Sequence, residues 1–298
     1  MAKISAVINV VREEVHFLAQ VLTSIADLVD EVILVDMTGG DEVAKIGAKF
    51  EAKVFKHEFV NYVEPARNFG INEAEGKWIL VLDPDEELSK SLSQKLHEIV
   101  GTDGADYVRI PRKNIVFEKT LKHSRWWPDY NIRFFKKGFV SWGNEIHAIP
   151  VTTGRGIDLE AKEEFAIVHH HYPSIEQYIE RMNRYTSIQA ERLKDGNFEV
   201  SFLIRKPIGE FLSRYFAGEG YKDGLHGLAL SGLQAFSEFV VYLKLWQLKK
   251  FEEKSLQVKE IIETMREAEK DIHYWQADAL VKNGGGILQR VKRKFKLP

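Results

Sequence analysis

Short apolar runs alternate with helical patterns over the first hundred residues. Residues 4–11 are apolar except for Ser5 and Asn9, which is typical of a strand buried on both faces of a sheet. Apolar positions three or four residues apart follow over 15–25 and predict a helix. The pattern then predicts a strand, a helix and a strand, over 31–36, 42–49 and 52–59. This alternation predicts an α/β fold with a mostly parallel, doubly wound sheet.

Polar residues stand where the first two strands end. Arg12 and Glu13 follow the first strand, and Asp36 is the last residue of the second. Ligands of such sheets bind beyond the carboxyl ends of the strands, so Glu13 and Asp36 are candidate ligand-binding residues. No Gly-x-Gly-x-x-Gly follows the first strand, and no Gly-Lys is followed by Ser or Thr. Dinucleotide binding and P-loop chemistry are therefore disfavoured.

A buried strand predicted over 78–82 runs directly into an acidic turn. Four carboxylates stand there within five residues, at Asp83, Asp85, Glu86 and Glu87, and Pro84 stiffens the turn. Like charges this close raise one another's pKa and cost stability unless a cation neutralises them. Asp83 and Asp85 at the end of a rigid strand therefore predict a site for a hard divalent cation. The alternative is a solvated acidic loop at the start of the next helix.

The composition narrows the class of protein. The 298 residues carry 42 Lys plus Arg against 44 Asp plus Glu, which argues against a nucleic acid as the main partner. The absence of Cys excludes disulfides, zinc–thiolate sites and thiol nucleophiles, so a metal would be held by oxygen or imidazole. The apolar run near the start is too short for a signal peptide, and we expect a cytoplasmic protein.

The ordered series of motifs resembles the inverting glycosyltransferases of family 2, in particular the branch of lipopolysaccharide-core glucosyltransferases. The motifs are Ala66-Arg67-Asn68-x-Gly70, Gly76-x-Trp78 to Leu82-Asp83-x-Asp85-Glu86, Asp129 to Gly138, Ile146-His147, His169 to Ser174, and Arg205 to Gly227. They extend to about residue 250. The resemblance implies the GT-A fold, with a catalytic domain over 1–172, a helical extension over 173–283 and a tail over 284–298.

The resemblance also implies roles for individual residues. Asp36 would bind the nucleotide base or ribose of a nucleotide-diphosphate sugar, and Arg67 would lie near its diphosphate. Asp83 would face the ribose and the metal, Asp85 would hold Mg²⁺ or Mn²⁺, and His169 would reach back to that metal. The acceptor would be a cell-envelope glycan or a lipid-linked saccharide.

Two positions depart from the family pattern. Arg12 stands where family members usually carry Asn, and His147 is followed by Ala148 where they usually carry Glu. A Glu at that position would be a natural general base for an inverting transfer. The remaining candidates are Glu145, Asp129 and His147, with Glu145 preferred because its Trp- and Gly-containing loop suits a sugar-binding rim. Asp129 would alternatively pair with a nearby arginine.

The distal third predicts helices over 174–195, 225–248 and 251–282. Glu238 and Lys244 interrupt the apolar spacing over 225–248, which argues against a transmembrane span. This helix is predicted either to pack on the catalytic domain or across a homodimer, or to lie at a membrane interface near a lipid-linked acceptor.

The last twelve residues hold five basic side chains and no acidic one, interleaved with apolar positions. Removing them leaves 37 basic against 44 acidic residues, or −7 for residues 1–286. The tail therefore predicts either an amphipathic contact with an anionic membrane surface or a disordered end without a partner.

The leading hypothesis is a metal-dependent inverting glycosyltransferase. A sugar-phosphate nucleotidyltransferase is disfavoured because no Gly-rich phosphate loop follows the first strand. The non-enzymatic alternative is a catalytically degenerate glycan-binding or scaffold protein. The presence of Ala148 in place of the usual Glu favours this alternative, and the intact Asp83-Pro84-Asp85 argues against it.

Overall fold

The chain folds into two compact units. The computed structural model describes residues 3–58, 64–143 and 150–298. The first unit comprises Met1–Ile115 and Pro128–His171, and the second comprises Val116–Trp127 and Tyr172–Pro298. Segment Val116–Trp127, which the family resemblance placed in the catalytic domain over 1–172, is part of the second unit.

The described strands are short and the longest helices lie late in the chain. The strands are β1 Ile4–Val10, β2 Glu31–Asp36, β3 Lys53–Lys56, β4 Trp78–Leu82, β5 Glu86–Glu87, β6 Tyr107–Val116, β7 Lys119–Thr120, β8 Asp129–Lys136, β9 Val140–Ser141, β10 Val151–Thr152, β11 Gly156–Asp158 and β12 Ile167–Tyr172. The α-helices are α1 Leu18–Ile25, α2 Glu42–Gly47, α3 Glu64–Glu73, α4 Lys90–Thr102, α5 Ile175–Arg192, α6 Phe202–Leu212, α7 Leu225–Leu248, α8 Val258–Lys282 and α9 Ile287–Phe295.

The main sheet has the strand order β3-β2-β1-β4-β8-β6-β12-β5. The pairs β1–β2, β1–β4 and β2–β3 are parallel, which confirms the alternating pattern predicted for the first hundred residues. β8 runs antiparallel to both β4 and β6, and β5 runs antiparallel to β12. The sheet is therefore mixed, and its parallel half carries the carboxyl edge where ligands of such folds bind.

Helices cover both faces of the parallel half, which explains the unbroken apolar runs of its strands. Ala6, Ile8 and Val10 of β1 share one buried cluster with the apolar faces of α1 and α4. Val7, between them, belongs to a second cluster with Ala66 and Ile71 of α3. Alternate side chains point to opposite faces, so each position of β1 is needed by one layer or the other.

Strand β3 and helix α8 are both shorter than the segments predicted from the sequence, 52–59 and 251–282. β3 covers only Lys53–Lys56 at the edge of the sheet, and residue 59 lies outside the described residues. The helix predicted over 251–282 begins at Val258. Lys250 and Phe251 have φ values of +57° and +55°, a left-handed conformation that ends α7 and prevents direct continuation into a new helix.

The apolar helix α7 is partly buried in the second unit and exposes several apolar side chains. By length and composition alone it is the one described helix that qualifies as a candidate membrane span. Its Leu230 and Leu245 contribute to two buried clusters of this unit. Lys244, which interrupts the apolar pattern, donates to Asn183 and Thr186 of α5.

Glycine at position 70 allows α3 to approach the sheet closely. A Cβ there would lie 2.6 Å from Cγ1 of Val7 and 2.8 Å from Cγ2 of Val35, both fully buried β-branched residues. Neither side chain has room to turn away, because both belong to the packed layer under α3. The glycine of the Ala-Arg-Asn-x-Gly motif is therefore explained by packing.

We expect Gly70→Ala to lower the free energy of unfolding by about 1–3 kcal/mol because of overpacking. Urea denaturation followed by circular dichroism measures this value. Gly101→Ala is the matched control, since nothing lies within 4 Å of a Cβ built on that exposed glycine of α4. It should be neutral or stabilising by up to about 1 kcal/mol. Equal effects of the two substitutions would contradict the packing explanation.

Candidate active site

The carboxyl edge of the parallel strands holds a buried carboxylate with one unsatisfied oxygen. Asp36 ends β2, and its Oδ1 accepts hydrogen bonds from the Thr38 amide at 2.9 Å and the Thr38 hydroxyl at 2.7 Å. Its Oδ2 is buried without a hydrogen-bond partner among the described residues. A buried carboxylate oxygen without a donor is costly, so this atom is suited to a ligand hydroxyl or N–H group.

The end of β1 contributes to the same edge. Arg12 begins a 3₁₀ helix over Arg12–Phe17, and its Nη2 donates to the Thr38 carbonyl at 3.1 Å. Glu13 follows on this helix with an exposed side chain. The sequence prediction that Glu13 and Asp36 share the carboxyl edge agrees with the parallel pairing of β1 and β2.

Three residues of the Ala-Arg-Asn-x-Gly motif have separate contacts. Arg67 donates to Asp83 Oδ1 at 2.9 Å, and its guanidinium lies 5.8 Å from the centre of the Trp142 ring. Asn68 exchanges two hydrogen bonds with the Trp142 backbone, at 2.7 and 3.0 Å. Gly70 allows the close packing described above. The motif therefore ties α3 to the acidic turn and to the segment after β9.

Both oxygens of Asp83 accept hydrogen bonds from arginines. Arg67 binds Oδ1, and Arg133 of β8 binds Oδ2. Burial alone would raise the pKa of Asp83, but Arg133, Arg67 and Arg112 outweigh it and hold that pKa well below its usual range. Asp83 is therefore an anion that belongs to an ion-pair network.

Glu86 is the most buried acid of this turn. Its carboxylate accepts from Arg133 at 2.7 Å, from Arg112 at 3.1 Å and from the backbone amide of Asp83 at 3.0 Å. The side chain is fully buried, so each of these donors replaces a lost contact with water. Glu86 thus fixes the conformation of the turn from inside.

Asp129 at the start of β8 is also paired. Its Oδ2 accepts from Arg112 Nε at 2.9 Å, from Arg112 Nη2 at 2.7 Å and from Asn114 Nδ2 at 3.1 Å. Burial opposes its ionisation, but Arg112 and the hydrogen bonds dominate and lower the pKa of Asp129. A carboxylate with a lowered pKa is a weak proton acceptor, so this geometry favours its role as a partner of Arg112.

The hydrogen bonds around Asn114 determine the tautomer of His169. An ionised Asp129 can only accept, so the Asn114 atom facing it is the NH₂ group. Asn114 Oδ1 therefore faces His169 Nδ1, at 2.6 Å, and this nitrogen carries the proton. In the neutral ring Nε2 then holds the lone pair. It lies 3.1 Å from His171 Nδ1 and 3.6 Å from Asp85 Oδ2.

Backbone pairing brings Asp85 and His169 together. The short strand β5 pairs with β12 so that Glu86 is opposite His169. The His170 amide donates to the Asp85 carbonyl at 2.9 Å, while the His170 ring contacts Glu87. Asp85 and His169 are both buried. Among the residues that the structure describes, no three His, Asp or Glu side chains form a ready metal cluster, so these two are a pair of candidate donors.

The structure brings Arg67, Asp83, Asp85, Asp129 and His169 into one connected region, while Glu145 and His147 lie outside the described residues. Three polar participants were not singled out from the sequence, namely Arg112, Asn114 and Arg133. Glu86 was noted there as one of four acids in the turn, without its buried contacts with two arginines. Arg133 is flanked by Ile132 and Phe134 within a strand, and a charged residue in a buried strand was the available signal.

Three comparisons bear on this chain. The sequence profile described as Glycosyl transferase family 2 matches residues 5–163. An uncharacterized glycosyltransferase of Rickettsia felis is 30% identical over 256 residues, covering 82% of this chain and 90% of the relative. One of Rickettsia conorii is 29% identical over 271 residues, covering 87% and 93%. A mannosyltransferase from Pyrobaculum calidifontis in complex with GDP-Man and Mn²⁺ is 12% identical and covers 99% of this chain and 84% of that one, with a TM-score of 0.44.

Removal of Arg133 should destabilise the first unit strongly. Its side chain is 5% exposed, and Arg133→Met takes one cation from two carboxylates, so we expect a loss of about 3–5 kcal/mol in the free energy of unfolding. Arg109→Met is the matched control on neighbouring β6. Arg109 pairs with Asp158 but is 49% exposed, so its loss should cost less than about 1 kcal/mol. Similar urea-denaturation values for both variants would contradict the importance of the buried network.

Proposed function

This chain belongs to the family 2 glycosyltransferases, and we propose that it transfers a hexose from a nucleotide-diphosphate sugar to a cell-envelope glycan or lipid-linked saccharide. Its first unit has the GT-A fold of that family, with a mixed sheet flanked by helices. We propose direct displacement at the anomeric carbon with inversion, assisted by Mg²⁺ or Mn²⁺. The proposed location is the cytoplasm, at the inner face of the cytoplasmic membrane.

The observation that carries this proposal is the arginine-braced acidic turn at the carboxyl edge of the sheet. Glu86, Arg67 and Arg133 hold the turn, and Asp85 Oδ2 lies 3.6 Å from Nε2 of His169. A scaffold protein without catalysis would have no evident need for a buried Asp85 in contact with histidine. The turn therefore supports an enzyme more than a degenerate binding protein.

The donor is proposed to lie along the edge formed by β1, β2 and β4. The unsatisfied Oδ2 of Asp36 would accept a hydrogen bond from the base or ribose, and Glu13 would lie on the same side. Arg67 would stabilise negative charge on the diphosphate while remaining paired with Asp83. Asp83 would position Arg67 and face the ribose.

The metal is proposed to be held by Asp85 and His169, with Asp83 adjacent. The donor set fits: a carboxylate and an imidazole nitrogen lie 3.6 Å apart, and the second nitrogen of His169 donates to Asn114, a common arrangement for metal-binding histidines. Divalent cations of this kind complete their shell with water and substrate phosphates, and an imidazole donor favours Mn²⁺ over Mg²⁺. When bound, the metal would supply positive charge to the departing nucleoside diphosphate.

An inverting transfer needs a base on the acceptor side of the donor sugar. Glu145 remains the preferred candidate from the sequence. Asp129 is the second candidate, although its contact with Arg112 lowers its pKa and weakens it as a base. The acceptor hydroxyl would lose its proton to one of these carboxylates as it attacks the anomeric carbon.

Donor binding tests the proposed function. We expect UDP- or GDP-hexoses to bind in the presence of Mn²⁺ in isothermal titration calorimetry. Asp36→Asn should weaken this binding about 10- to 100-fold, because an amide NH₂ at the Oδ2 position cannot accept a hydrogen bond. Asp27→Asn, an exposed change after α1, serves as the control and should bind normally. The proposal fails if no nucleotide sugar binds in the presence of either Mn²⁺ or Mg²⁺.

Two variants distinguish the candidate bases. Glu145→Gln should keep donor and metal affinity but lose at least about 100-fold in turnover, measured as release of nucleoside diphosphate. Asp129→Asn should instead lower the thermal midpoint of unfolding, because Arg112 loses its ion pair. Normal turnover in Glu145→Gln, together with a stable but inactive Asp129→Asn, would assign the base to Asp129.

A further inference from the structure

The C-terminal helix α9 exposes its apolar side chains rather than burying them. Ile287, Leu288, Val291 and Phe295 are 79%, 65%, 41% and 61% exposed. At about 100° per residue, these four positions form one stripe about 100° wide. A helix that only completed the fold of the second unit would bury such a stripe. These four residues are called the α9 stripe below.

The polar side of α9 is the one that packs on the neighbouring helix. Arg293 projects about opposite to the centre of the α9 stripe and donates to Asp278 of α8 at 3.0 Å. Lys296, just beyond the helix, binds Asp271 of α8 at 2.7 Å. These two ion pairs fix the rotation of α9 about its axis, and this rotation directs the α9 stripe to solvent.

The remaining basic residues flank the α9 stripe. Arg290 and Lys294 lie along one margin and Lys292 along the other, by the same helical spacing. None of the three forms an ion pair with another residue in the described part of the chain. The segment 287–298 contains no acidic residue. An apolar stripe bordered by cations that carry no ion pair is complementary to a bilayer surface with anionic headgroups.

We propose that α9 docks on an anionic membrane surface, with the α9 stripe inserted among the headgroups and the flanking cations bound to lipid phosphates. This docking rests on the proposed function for its biological purpose, because it would hold the enzyme beside a lipid-linked acceptor. The body over residues 1–286 has a formal charge of −7 and is repelled by such a surface. Attachment must therefore come from a local basic and apolar element such as α9.

Vesicle sedimentation with the full-length protein tests the docking without any donor or acceptor, so its outcome is independent of catalysis. We expect binding to phosphatidylcholine vesicles containing phosphatidylglycerol, and at least tenfold weaker binding to pure phosphatidylcholine. Arg290→Gln/Lys294→Gln should bind about 25-fold more weakly, at about fivefold per basic residue. Leu288→Ser/Phe295→Ser should lose at least tenfold, while both variants keep the circular dichroism of the parent.

Val258→Ser/Met265→Ser is the matched control, because these α8 side chains are 75% and 58% exposed but lie outside the α9 stripe. It should bind vesicles as the parent does. The proposal would be overturned if the α9 variants bound vesicles as well as the parent, or if the control variant lost as much binding as they do. It would also be overturned if the parent bound neutral and anionic vesicles equally well. It would also be overturned if light scattering showed a dimer that Leu288→Ser/Phe295→Ser converts to monomer, since a second copy would then occupy the stripe.

Discussion

The candidate site depends on one buried network of charges. Three guanidiniums meet three carboxylates around the acidic turn, namely Arg67, Arg112 and Arg133 against Asp83, Glu86 and Asp129. Removing one partner of such a network leaves an uncompensated charge in a poorly hydrated place, which is strongly destabilising. The network also connects α3, β5, β6 and β8 with the end of β4. The site therefore exists only when the sheet has its observed strand order.

Backbone geometry then places the two candidate metal donors without relying on flexible side chains. β5 has only two residues, yet its pairing with β12 puts Glu86 opposite His169. Asp85 directly precedes β5, and its carbonyl accepts from the His170 amide. On the other side of the ring, Asn114 holds His169 Nδ1. The orientation of this histidine is thus determined by a strand register and by one amide, before any ligand binds.

A feature of this structure could be predicted from the sequence when the residues that form it are close together in the chain. Asp36, Asp83 and Asp85 were found because a strand end and its carboxylate are neighbours in the chain, and the parallel half of the sheet followed from a local alternation. Arg133 lies 50 residues from Asp83, and Asn114 lies 55 from His169. A pattern among neighbouring residues cannot predict contacts between side chains so far apart in the chain. The predicted end of α7 at residue 248 is confirmed, but the next helix begins at Val258 rather than at residue 251. The left-handed backbone at residues 250 and 251 that separates the two helices has no signal in the apolar spacing.

The charge balance of the same network bears on the divalent cation proposed for this edge. Its three positive and three negative side chains cancel, so the network itself supplies no excess charge to a nucleoside diphosphate. Asp36, Asp85 and the exposed Glu13 add negative charge at the edge, and Arg12 adds an exposed cation. A diphosphate brought to this edge would bring at least two further negative charges close to these carboxylates. Coulomb repulsion at such distances is substantial in a partly buried site, so under the proposed function a cation beside Asp85 would favour donor binding.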